Sequence, residues 1–106
     1  MNTDSIINCT PHEIVLNSGA TFAPSGEVAR VSTDSTVIST DDGVTYARKS
    51  VGGVVGLPAE QAGVKYIVAA MVFDNCNRRD IVAPMTDVAV RNDKGHIVSV
   101  PGFYIK

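Results

Sequence analysis

"DVAVRNDKGHIVSV", residues 87–100, is the stretch on which the fold reading turns. Two β-prone segments, 87–91 and 96–100, flank Asn92-Asp93-Lys94-Gly95, a four-residue turn whose glycine suits a positive φ. This predicts a β-hairpin. The same logic extends outward: Asp41-Asp42-Gly43 is turn chemistry between strands expected at 36–40 and 44–49, and 103–105 extends the sheet after Pro101-Gly102. Upstream, strands are expected at 5–9, 13–17 and 27–32, with Pro11 bending the chain between the first two.

The apolar composition agrees. Sixteen valines and eight isoleucines stand against two leucines, and β-branched side chains fit a pleated sheet better than a helix. Residues 51–63 hold four glycines and a proline and predict an irregular loop, with at most a single helical turn at 58–62. The run 66–73 is continuously apolar; it reads as a strand passing into a short helix near Ala69 and ending around residues 75–77. The fold class is α+β, mainly antiparallel sheet with one or two short helices. With 106 residues, one domain spanning 1–106 is expected.

A net charge of −2, from 9 basic and 11 acidic residues, argues against bulk DNA binding, which rests on a basic face. The longest apolar run is far too short to span a bilayer and no export signal is visible, so a cytoplasmic protein without membrane contact is expected. Cys9 and Cys76 are too few for a disulfide scaffold or a zinc site and are expected to be free thiols. His12 and His96 have no partner at metal-ligand spacing, and Cys76 has no local base to activate it. Neither a cofactor, a metal nor an enzymatic activity is expected.

What chemistry the sequence offers is concentrated in "DNCNRRDIVAP", residues 74–84. Arginine grips phosphate, amides suit a base or ribose, and aromatic faces stack on purines, so Tyr66, Asn75, Arg78, Arg79, Arg91 and Phe103 together could build a nucleotide pocket. Read singly, Arg78-Arg79 also fits a solvated turn, and Tyr66 and Phe103 also fit a core. Asp80 beside the arginines could fix the direction of a guanidinium or form a surface ion pair.

The order of motifs adds a resemblance. "NCTPHEIVL", "PSGEVARV", "GLPAEQAGVKYIV", "RRDIVAP" and "VAVRNDKGHIV" together resemble small phage and prophage proteins, and within them the anti-Thoeris sponges that sequester cyclic ADP-ribose isomers. The resemblance covers most of the chain. It implies a small α+β protomer assembled into a homodimer or higher homo-oligomer, holding a cyclic ADP-ribose isomer or other cyclic nucleotide without cleaving it. Tyr66, Asn75 and Arg91 fall at suitable places in the order for that ligand, with Arg78 and Arg79 as further candidates. The alternative from a different class is a small phage structural or protein-interaction module that binds a host protein through a sheet edge.

Overall fold

The computed structural model describes residues 5–106. Its centre is a four-stranded sheet in the order β1 (Ser5–Asn8), β6 (Val64–Ile67), β7 (Ile81–Pro84), β10 (Phe103–Ile105). β1 and β7 pair parallel to β6, in registers that set Ser5 beside Val64 and Tyr66 beside Ile81; β10 closes the far side antiparallel to β7. Parallel neighbours need a crossover of about a dozen residues. Between β6 and β7 that crossover contains the only α-helix among the described residues, α1 (Ala70–Asp74). The predicted passage from strand to short helix near Ala69 is therefore present.

The unbroken apolar character of 66–68 follows from position: Tyr66, Ile67 and Val68 are fully buried in the central strand and just past it, so neither face requires polar residues. They form the core with Cys9, Ala29, Val72 and Ile81, flanked by Ile7, Val31, Val54 and Leu57.

Around this sheet lie three two-stranded ribbons. β2 (Ile14–Val15) pairs with β3 (Thr21–Phe22), a strand that the sequence reading had not placed. β8 (Val90–Arg91) pairs with β9 (Ile97–Ser99) as the expected hairpin, although residues 86–88 form a 3-10 turn, so its first strand is shorter than 87–91. Asn92 holds the turn, its Oδ1 accepting from Lys94 N and His96 N at 2.9 and 3.0 Å, and Gly95 has φ +80°.

The third ribbon departs most from expectation. The strands expected at 27–32 and 36–40 are one strand, β4 (Arg30–Asp41), and β5 (Val44–Val55) runs through the first five residues of the expected 51–63 loop. Each has 12 residues. The two-residue turn Asp42-Gly43, with φ of 49° and 78°, is the tight hairpin connection that Asp-Gly predicts. The helical turn expected at 58–62 is not formed; that segment is irregular. At about 3.3 Å per residue, a 12-residue ribbon is roughly 40 Å long. The chain accordingly extends 62 × 39 × 23 Å, and its radius of gyration of 17.0 Å exceeds the roughly 13 Å of a compact domain this size.

Candidate functional site

Arg78 is held by the protein itself. Its Nε and Nη2 donate to the two carboxylate oxygens of Asp80 at 2.9 and 2.5 Å, and Nη1 donates to the Pro58 carbonyl at 2.7 Å. Glu60 adds a carboxylate oxygen at 3.5 Å. The guanidinium carbon lies 5.7 Å from the centre of the Tyr66 ring, in cation–π range. Tyr66 in turn donates its hydroxyl to the Ala59 carbonyl at 3.0 Å. The planar fork thus ties the irregular 57–60 segment to the start of β7, with the hydrogen bonds donated to Asp80 as the main cause of a raised Arg78 pKa. The side chains of Arg78 and Asp80 are only 24 % and 15 % exposed, so this is a largely desolvated pair.

Beside it opens a solvent-facing basin of about 700 Å³, walled by Glu60, Lys65, Asn77, Arg78, Arg79 and Asp80. Its charge is mixed, three basic side chains against two acidic. Arg79 is exposed and makes no hydrogen bond or ion pair among the described residues.

The other expected ligand residues are dispersed. Tyr66 is fully buried and offers no open ring face. Asn75 sits at the C-terminus of α1 and donates to the Met71 carbonyl at 2.8 Å, satisfying one of the helix's terminal acceptors. Arg91 grips its own hairpin through the Gly95 carbonyl at 2.7 Å, with the Thr86 carbonyl at 3.5 Å. Phe103, half-buried on β10, meets Phe22 edge-on with centroids 5.7 Å apart. Only Arg78 and Arg79 of the six wall the basin. Among the described residues no cluster of three or more His, Cys, Asp or Glu could hold a metal, and no helix is long and apolar enough to cross a membrane. Both cysteines are free; burial pushes the Cys9 thiol pKa up, against a partial offset from Ser25.

The "NCTPH" stretch has a local structural role. Buried Asn8 donates to the His12 and Phe22 carbonyls at 2.7 and 2.9 Å and accepts from Thr10 N and Oγ1 at 2.9 and 2.6 Å. One amide therefore satisfies four partners and locks the bend that Pro11 permits. The bend shapes an apolar cleft of about 310 Å³ between His12, Ile14, Pro84, Ile97 and Val98.

No protein-family model, no curated protein and no solved structure matches the chain.

What sequence reasoning missed is the length of the β4–β5 hairpin and its exposure as an arm. Cross-strand partners share a face, so Val51, Lys49, Ala47 and Thr45 of β5 stand on one side and Ser50, Arg48, Tyr46 and Val44 on the other. Neither side is covered: Val37 is 62 % exposed, Ile38 55 % and Tyr46 56 %. Only the base is anchored, through half-buried Val31 and Val54 and the Ala29 amide donating to the Cys9 carbonyl at 3.0 Å. Two sequence signals pointed to it: β-branched and hydroxyl residues, interrupted only by Asp34, run from 31 to 40 without a glycine or proline, and Asp42-Gly43 follows them.

Proposed function

We propose that this protein is a non-catalytic binding module that works by presenting its β4–β5 arm to another protein chain. The observation that carries this reading is the arm's exposure on both faces while it bears Val37, Ile38, Val44 and Tyr46. A lone two-stranded ribbon is at best marginally stable in water, and three or more strands or a covering surface are needed to support it. Its outer edges offer unpaired backbone groups to a further strand, the mode by which many interaction modules recognise partners. Hydrogen exchange of the dilute protein tests the reading. Amides in the outer half of the arm should exchange far faster than those of β6 and β7, and slow when a partner engages; protection equal to the core in a dilute monomer would refute a docking role.

The basin supports a second reading. At about 700 Å³ it lies in the size range of small-molecule sites, and Arg79 and Asn77 reach its rim unburied. On this reading the protein sequesters a cyclic ADP-ribose isomer or related cyclic nucleotide without cleaving it, as an anti-defence sponge. Incubating the protein with such isomers, then denaturing it and analysing what is released, separates the outcomes: intact nucleotide supports a sponge, altered nucleotide an enzyme, and no nucleotide leaves the docking module.

A further inference from the structure

We propose that the arm's partner is a second copy of this chain, joined through antiparallel pairing of the outer edges of two β4 strands centred on Ser35. The inference rests on the docking role of the arm and deepens it by naming the occupant and the register.

The two edges of the arm are not equivalent. β5 carries Arg48 and Lys49 side by side at mid-strand and breaks its register at Gly52-Gly53, between the pairs made by Val31 and Thr33. Edge cations and bulges are devices that discourage strand addition, and antiparallel self-pairing across the middle of β5 would crowd four cations together. β4 carries one bulge of its own, at Ile38 between the pairs made by Val37 and Ser39, but no cation along its middle. From Ser35 to Thr40 it bears no charge, only hydroxyl and β-branched side chains suited to pairing.

Charge then selects the register. Arg30 stands at the base of β4, Asp41 at its tip and Asp34 between them, and none of the three forms an ion pair among the described residues. With Ile38 taken up as the bulge, centring two antiparallel strands on Ser35 places Arg30 of each copy opposite Asp41 of the other, two opposite-charge contacts related by symmetry. Thr33 then faces Val37 of the second copy, twice, giving β-branched cross-strand pairs on either side of the axis. Moving the centre two residues toward the tip, to Val37, would set Asp34 opposite Asp41 of the second copy once the Ile38 bulge is counted, a like-charge contact. The Ser35 register turns two unsupported ribbons into one four-stranded sheet, β5-β4-β4-β5, which meets the strand number that independent stability requires.

Three measurements test this. In a Ser35→Cys variant the two introduced thiols lie directly opposite, at a Cα separation compatible with a disulfide, so mild oxidation should give a covalent dimer. Ser39→Cys, whose two copies would stand roughly 20 Å apart in this register, should give none. In sedimentation velocity the wild type should dimerise at micromolar concentration. Arg30→Asp and Asp41→Arg should each weaken dimerisation about tenfold, and the double exchange should restore it, which a folding defect would not do. A dimer that fails to cross-link at Ser35, or that cross-links equally at Ser39, overturns the proposed interface. A monomer whose arm amides exchange freely overturns self-pairing alone; a monomer whose arm is protected like the core overturns the docking role as well.

Discussion

Replacing Arg78 by alanine should separate a structural arginine from a ligand arginine. The substitution removes two charge-assisted hydrogen bonds to Asp80 and one to the Pro58 carbonyl, and it leaves the Asp80 carboxylate, 15 % exposed, without its guanidinium. Hydrogen bonds to charged groups contribute about 1.5–3 kcal/mol each, and they are not additive when they share one side chain. With a quarter of the arginine side chain still in contact with solvent, a total of about 3 kcal/mol is expected, a large part of the 5–15 kcal/mol typical of a domain. At roughly 4–8 °C per kcal/mol for a chain near this size, the melting temperature should fall by about 12–24 °C. Arg78→Lys keeps the charge but cannot fork, and should recover about half of the loss. Because the pairing raises the Arg78 pKa, its stabilisation is complete below the ordinary arginine range and is lost only above it. The difference between wild type and variant should therefore stay flat from neutral pH to pH ~10. Urea denaturation followed by circular dichroism measures each quantity. A loss below about 0.5 kcal/mol would refute the structural role, and nucleotide binding that disappears while stability holds would place the arginine in a ligand site.

Further outcomes are expected elsewhere. Asn8→Ala should cost about 2–4 kcal/mol, since it strips partners from buried Thr10 and from two carbonyls; a melting curve within ~2 °C of wild type would contradict this. Arg91→Ala should cost under ~1 kcal/mol, because its contacts to the Gly95 and Thr86 carbonyls are exposed, and it should leave any nucleotide binding at the basin unchanged by calorimetry. A thiol reagent should label half-buried Cys76 in the native protein and Cys9 only after unfolding, read by peptide mass spectrometry. Since burial raises the folded Cys9 pKa, the unfolded thiol loses its proton first, so stability should decline as pH rises above about 9; Cys9→Ala should remove that slope. Gly56→Ala should destabilise strongly, because φ is +80° and a Cβ would collide with the Val28 carbonyl oxygen.

The elements legible in the sequence are those written in local signals. Asp42-Gly43 and Asn92 to Gly95 marked their turns, and the 66–73 run marked a central strand of the sheet and the crossover helix that follows it. The arm was split in two because alternation is visible only when one face of a strand is buried. With both faces in solvent, Thr33, Asp34 and Ser35 looked like a break between strands. The parallel pairing of β1 with β6 joins segments distant in sequence and has no local signature. Arg78 and Asp80 were recognisable as a pair by proximity. The direction of the guanidinium was not, since it depends on a Pro58 carbonyl twenty residues away.

The arm also matters to the order in which the chain can fold. β1 must find β6 across roughly 59 residues, from Ser5 to Val64. The hairpin is local, and once Arg30 and Val55 are joined at its base the path between the two parallel strands shortens to roughly 34 residues. Loop-closure entropy then falls by about half a kcal/mol, independent of what lies beyond the base. An arm shortened symmetrically about Asp42-Gly43 would keep that kinetic short circuit, whereas substitutions that break the pairing at its base would lengthen the search and slow refolding while leaving the core contacts of β6 and β7 intact.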